Sequence, residues 1–331
     1  MQLEKINNLL IVRLSSLGDI LLTTPLIRTI KENYPHIKID FLLRERYYDL
    51  LRYNPNVDKN ITINNDKDKL RSLKNQICIN NYDLVIDLQN NLRSLRLLKC
   101  YGSSVVSFKK RNLEKFLLVN FKVNKLKERL PIPVMYAQSI EGVRLDGEGI
   151  DLYTDKKPNR LLEMRENFIG FCPGSRHYTK MWPTDYYIEL GRLLEKNNYK
   201  VVLFGGENDK QICLKIASEL KFAINLCNDD DILQTASDMK MCRLIFCNDS
   251  GLMHTATAMH VPVIAFFGST VQEFGFAPYK AEYLIMENEF LTCRPCSHIG
   301  RSRCPKKHFK CMKDILPEQA FQKMNVLINN E

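Results

Sequence analysis

Three short stretches carry side chains placed for chemistry: an aspartate in RLSSLGDILLTTP (Arg13–Pro25), a lysine in CPGSRHYTKMWPTDYYIEL (Cys172–Leu190), and an aspartate and histidine in FCNDSGLMHTATAM (Phe246–Met259). In the last, the pattern predicts a strand ending at Asn248 and Asp249 and a helix beginning near Ser250. The first turn of such a helix leaves the backbone N–H groups of Ser250, Gly251 and Leu252 unpaired, which suits a phosphate oxygen. Gly251 lets the backbone approach closely, and His254, three residues on, lies on the same helical face. Asp249 would repel a phosphate, so a sugar hydroxyl or a bound cation is its more sensible partner. A bland reading makes Asp249 a helix cap and His254 a packed core residue.

The lysine stretch has the same logic with a cation added. Gly174 and Ser175 can cradle an oxyanion, and Lys180 can neutralise phosphate charge without a metal. Lys180 precedes Trp182, the single tryptophan of the chain, and Pro183 fits the first turn of the next helix. In VVLFGGENDKQI, Glu207 follows a strand that ends in Gly205-Gly206, a position from which an acidic residue commonly accepts hydrogen bonds from ribose hydroxyls, or simply caps the next helix. A G-x-G-x-x-G pattern is absent from the sequence, which weakens a dehydrogenase reading. Beside phosphate- and ribose-type sites, Asp19 suits general-base work on an attacking hydroxyl; as a plain helix cap it would do none.

Eleven cysteines are present, four of them, Cys293, Cys296, Cys304 and Cys311, within CRPCSHIGRSRCPKKHFKC. A C-x2-C pair followed by two more cysteines is compatible with structural zinc, with His298 and His308 as substitute ligands, and equally with free thiols. Basic residues between them also allow a nucleic-acid-binding zinc knuckle. The other seven fall in strand-like or helical runs and read as reduced core thiols.

These residues need elements to hold them. Continuously apolar runs (LLIVRL, IKIDFLL, LVIDL, VVSF, then FIGFCPG, VVLFGG, LIFCND, PVIAFFG) alternate with helical-period segments. Strands that apolar are buried on both faces, so the fold class is α/β with parallel sheets covered by helices. Ligands of such sheets bind beyond the carboxyl ends of the strands. That singles out Ser15, Ser16, Gly18 and Asp19, then Asp87, Gln89 and Arg93, and in the second half the residues already named. A length of 331 residues suits two domains, and the Gly-, Asp- and Lys-rich RLDGEGIDLYTDKKPNR (Arg144–Arg160) reads as the linker, with a boundary near Asp155.

Net charge is +10, and residues 1–155 hold a surplus of seven of these charges. Lys109, Lys110, Arg111, Lys115, Lys122, Lys125, Lys127 and Arg129 alternate with apolar positions, as on a helix facing an anionic surface or ligand, or simply facing solvent. No apolar run reaches the roughly 20 residues of a membrane span, and the N-terminus lacks a signal-peptide pattern; a cytoplasmic protein is expected.

Taken together, LLIVRLSSLGDILLTTPLIRTIKENYP, DLQNNLRS, GFCPGSRHYTKMWP, LFGGENDKQI and NDSGLMHTATAMHVPVIAFFGST resemble, in order and spacing, glycosyltransferase family 9, the ADP-heptose:lipopolysaccharide heptosyltransferases. The resemblance implies a GT-B architecture: an acceptor-binding Rossmann-like domain (residues 1–155) and a nucleotide-sugar-binding one (156–316) facing across a cleft, with a C-terminal helix (317–331) that packs back toward the first. It implies inverting, metal-independent transfer of heptose from ADP-heptose to the lipopolysaccharide inner core, at the inner face of the inner membrane and in contact with its anionic surface. Another nucleotide sugar or acceptor is the alternative. Asp19 matches the catalytic base and Lys180 the lysine on donor phosphate and sugar. Glu207 matches the ribose-binding glutamate and Asp249 the donor-sugar aspartate; Ser250, Gly251 and Leu252 match the diphosphate turn, with His254 beside it. Ser175 then belongs to the donor side, and Ser16, Gly18, Gln89 and Arg93 to the acceptor side. Ser250 stands where better-known members have Thr. The cysteine cluster is absent from the best-known members, so no cofactor is carried over with it beyond the possible structural zinc, and no nucleic-acid partner is implied.

Overall fold

The computed structural model describes residues 3–64, 67–162 and 167–328. The chain divides into two units: Met1–Arg111 with Ile132–Tyr153, and Asn112–Pro131 with Thr154–Glu331.

In the first unit, β1 (Asn8–Val12), β2 (Lys38–Arg44), β3 (Lys59–Ile63), β4 (Leu84–Asp87) and β5 (Val105–Ser107) form one sheet in the order β3-β2-β1-β4-β5. Every pairing is parallel. NLLIV and LVID take the centre because both faces of a central strand are buried, and Leu9, Leu10, Ile11 and Val12 have no exposed surface. The edge strand KNITI alternates buried and exposed residues, so the continuous apolar signature misses it. Strand order reverses between β1 and β4, the place where open parallel sheets gape to admit ligands.

The Arg144–Arg160 stretch is not a free linker in its first part. Arg28 sends Nε to Asp146 Oδ2 at 2.6 Å, a second nitrogen to Asp146 Oδ1 at 3.1 Å and to the Gly149 carbonyl at 2.9 Å, and pairs with Asp151. Burial opposes the Asp146 charge, but the Arg28 hydrogen bonds outweigh it and bring this carboxyl below its ordinary value. A depressed carboxyl contributes stability above the unfolded value near 4 and loses it as pH falls through the folded value. Arg28→Met should therefore destabilise the protein at pH 7 by about 1–3 kcal/mol, with a shallower loss of stability below about pH 4 than wild type in urea titrations. Parallel acid limbs would show that the pairing contributes nothing.

In the second unit, β6 (Phe168–Cys172), β7 (Lys200–Leu203), β8 (Ile224–Asn225), β9 (Leu244–Asn248), β10 (Val263–Phe267) and β11 (Tyr283–Glu287) run β11-β10-β9-β6-β7-β8, again all parallel. The reversal here lies between β6 and β9. The core is aromatic: Trp182, 1% exposed, stacks on Phe266 at 4.2 Å between centroids and donates its indole N–H to the Ile315 carbonyl at 2.9 Å. Helix Pro317–Ile328 buries Ala320, Met324, Leu327 and Ile328 in this core and packs on helix Thr184–Lys196 and β11; residues 329–331 of the expected C-terminal helix lie outside the described residues. Among the described residues no helix is long and apolar enough to cross a membrane.

The basic segment is redistributed. Helix Asn112–Phe121 groups with the second unit. Leu118 and Leu126 pack on Phe274, Lys115 lies over the Phe276 ring, and Arg129 pairs with Glu273. The Lys122 ammonium is spent on the carbonyls of Pro295 (2.6 Å) and Val119 (2.9 Å).

Candidate functional site

In the first unit the carboxylate of Asp19 is built into the turn that leaves β1. Helix Leu17–Leu21 starts at Ser16, and Asp19 Oδ2 accepts both the Ser16 N–H (2.9 Å) and the Ser16 hydroxyl (2.6 Å). Asp19 Oδ1 meets an Arg13 nitrogen at 2.5 Å. Arg13 is 8% exposed, donates to the Leu88 carbonyl and lies over the Tyr136 ring. Burial disfavours its charge, and Tyr136 and Asp19 more than restore it, so its pKa ends above the ordinary value. Asp19 is thus both a cap and an oriented, ion-paired carboxylate with 16% of its side chain exposed.

Gln89, across the reversal on the β4 exit, gives its carbonyl oxygen to the N–H groups of Leu14 (2.9 Å) and Ser15 (3.2 Å), which fixes the β1 exit turn. Gly18 is buried, while Arg93 is exposed near the start of helix Leu92–Leu97. Of the eight basic residues expected on a helix face only Lys115 lies in helix Asn112–Phe121, and Lys110 stands apart from it. It follows β5, half-buried; burial and Arg13 depress its pKa, while Asp87 and Asp19 act the other way. Its position just past a strand's carboxyl end was the signal.

The second unit merges two stretches that the sequence keeps 69 residues apart. Lys180, closing the turn Tyr178–Lys180, contacts Asp249 Oδ2 at 2.7 Å, and the same oxygen accepts the Thr270 hydroxyl at 2.7 Å. Asp249 thus has the lysine of the other stretch beside it, a pairing the sequence does not display. Their side chains are 15% and 9% exposed. Asn248, fully buried at the end of β9, is the clamp: its Oδ1 accepts the Trp182 N–H at 2.9 Å, and its Nδ2 donates to the carbonyls of Pro173 (2.8 Å) and Gly174 (3.3 Å). The loop carrying Ser175 and the segment carrying Lys180 are both tied to β9 through one side chain.

Helix Gly251–Ala258 begins beside this pair with Ser250 as its extended N-cap residue. Its first-turn N–H groups, including those of Gly251 and Leu252, have no intrahelical acceptor, and Ser250 Oγ is buried with no hydrogen-bond partner among the described residues. His254 is buried at 3%. Glu207 is exposed, and its N–H donates to Asp230 Oδ1 at 3.1 Å. The inner carboxylate of that loop is Asp209, which accepts the Gly206 N–H at 3.1 Å. Burial pushes the Asp209 pKa up, against the Gly206 hydrogen bond. A Cβ on Gly174 would lie 2.0 Å from Asp209 Oδ1, so glycine is what allows the two loops to close on each other.

The zinc expectation is corrected. Among the described residues no group of three or more His, Cys, Asp or Glu side chains could hold a metal ion. Cys311 is drawn into the hydrophobic core instead, where burial pushes its thiol up to about 12. Cys293 Sγ lies 3.9 Å from His308 Nε2. Of the remaining seven cysteines, Cys172, Cys213, Cys242 and Cys247 are buried thiols as expected and Cys227 is half-buried. Cys78 and Cys100 depart from expectation and form a disulfide.

Similarity with known proteins bears on this geometry. The profile of Glycosyltransferase family 9 (heptosyltransferase) matches residues 70–307. This chain belongs to glycosyltransferase family 9. Lipooligosaccharide heptosyltransferase 2 of Campylobacter jejuni is 26% identical over 325 residues, 95% of this chain and 96% of the relative. Among solved structures, a family 9 glycosyltransferase from Veillonella parvula aligns with a TM-score of 0.81 at 22% identity, covering 100% of this chain and 99% of that one. The ADP-heptose lipopolysaccharide heptosyltransferase II of Escherichia coli aligns with a TM-score of 0.74 at 23% identity over 98% and 99%. Those two likenesses establish the GT-B fold, and family membership makes the chain a glycosyltransferase.

The clamp is testable. Asn248→Ala leaves the Trp182 N–H and the Pro173 carbonyl buried without partners, at about 1–3 kcal/mol each, so the urea midpoint of the second unit should fall markedly. An unchanged midpoint would show that the loops are held by other contacts.

Proposed function

We propose that this glycosyltransferase moves heptose from ADP-heptose onto a lipopolysaccharide inner-core acceptor, with inversion and without a catalytic metal. The observation that carries the reading is the Lys180–Asp249 pair beside the N–H-rich start of helix Gly251–Ala258, where strand order reverses. A departing nucleoside diphosphate gathers negative charge, and an ammonium group with oriented N–H donors stabilises it, usually the largest contribution to catalysis. Asp249 and Thr270 offer oxygens to sugar hydroxyls, and Glu207, with Asp209 behind it, lies within reach of a ribose. The heptosyltransferase relatives support the choice of sugar.

Asp19 is the base in this account, its carboxylate aimed by Arg13 and Ser16. It takes the proton from the acceptor hydroxyl, a contribution of about 100- to 10,000-fold, and direct attack by that hydroxyl inverts the sugar carbon. The first unit takes the acceptor, with Ser16, Gly18, Gln89 and Arg93 lining its side, and Lys110 adds a cation for the acidic inner core. Exposed Leu113, Phe116 and Phe121 on helix Asn112–Phe121, flanked by lysines, fit an anionic bilayer surface at the cytoplasmic face of the inner membrane.

Purified protein given truncated lipopolysaccharide and a mixture of nucleotide sugars should add one heptose, read by mass spectrometry. Asp19→Asn should lower that transfer by about 100-fold or more while ADP affinity stays within about twofold, a ratio well under 1 kcal/mol. Addition of another sugar would overturn the donor assignment, and equal loss of transfer and ADP binding would make Asp19 structural.

A further inference from the structure

Arg294 sits between the first two cysteines of the cluster, 9% exposed, and spends its guanidinium inside the protein. Nε donates to the Gly268 carbonyl at 2.6 Å, one terminal nitrogen to the Asn288 carbonyl at 2.7 Å, and the other to the carbonyls of Phe267 (3.0 Å) and Thr270 (2.9 Å) and to Glu287 Oε2 (2.6 Å). One planar fork thus collects the chain as it leaves β10 and ties it to the end of β11. Lysine, a point charge with three donors, cannot span that set.

Thr270 connects the fork to the donor pair. Its carbonyl is held by Arg294, and its hydroxyl donates to the Asp249 oxygen that also meets Lys180. A second strand of contacts runs in parallel. The Ser269 carbonyl accepts the Cys296 N–H at 3.2 Å, and Ser269 itself bonds Thr179, the residue before Lys180, through its N–H (3.2 Å) and hydroxyl (3.0 Å). The cysteine-rich loop is therefore linked to both members of the ion pair, through Thr270 to Asp249 and through Ser269 and Thr179 to the turn that carries Lys180.

We propose that Arg294 is a positioning residue for the donor site, fixing Thr270 so that its hydroxyl keeps Asp249 turned toward Lys180. The proposal rests on the donor-site reading above. It also gives the cysteine-rich segment a task that needs no metal: it carries the brace.

A double-mutant cycle tests the relay. Arg294→Met and Thr270→Val should each slow transfer by about tenfold or more, the worth of a charge-assisted hydrogen bond, with Thr270→Ser near wild type. Because both act on Asp249 by one route, the double variant should be no slower than the worse single variant within about twofold. Multiplying losses would overturn the proposal and make Arg294 a general stabiliser, as would wild-type transfer in Arg294→Met. Where Arg294→Met does not fold, Glu287→Gln takes its place in the cycle with a smaller loss expected. If wild type transfers no heptose, the functional reading fails. The relay is then judged from a crystal structure of the Arg294 variant, in which the Thr270–Asp249 contact should open beyond about 3.5 Å; an intact contact refutes it.

Discussion

The second unit is organised around a carboxylate that cannot stand alone. Asp249 lies at the end of a fully buried strand, where an unpaired negative charge would cost several kcal/mol. Lys180 compensates it from one side and the Thr270 hydroxyl from another. Each partner in turn needs to be held: Lys180 by the Asn248–Trp182 bond and by Thr179, and Thr270 by Arg294. Much of the surrounding polar structure follows from keeping these charges together.

Parallel sheets make such an assembly economical. All strand carboxyl ends fall on one edge, so loops distant in sequence, after β6, β9 and β10, arrive side by side. The gap at the order reversal gives a ligand room, and the start of helix Gly251–Ala258 adds N–H donors without adding side chains. The first unit repeats the scheme with a different balance of charge. There the carboxylate is paired with an arginine from its own strand exit, and Gln89 from across the reversal fixes the turn.

Central strands were legible because burial on both faces demands unbroken apolar runs, and the residues after them were legible by the same rule. β3, β8 and β11 escaped it: edge strands are half-buried, and β8 is two residues long. The grouping of helix Asn112–Phe121 with the second unit was hidden because its contacts, Leu118 on Phe274 and Lys115 over Phe276, join residues far apart in sequence. Asp209 and Arg294 were passed over, and Asn248 and Lys110 named without these roles, for a related reason. Their partners are carbonyls and N–H groups, or charges brought close only by folding, so residue type alone does not distinguish them from solvent-facing polar residues. The cysteine spacing misled in the opposite direction, since spacing constrains reach along the chain and says nothing of whether Cys311 turns into the core.

The central claim is that Lys180, set on Asp249, grips the phosphates of the donor. Isothermal titration of ADP into wild type and Lys180→Gln, with both melting curves recorded, addresses it most directly. The account predicts that the folded variant binds ADP about 10- to 100-fold more weakly, the loss of one charge-assisted contact. Equal affinity in a folded variant would contradict it.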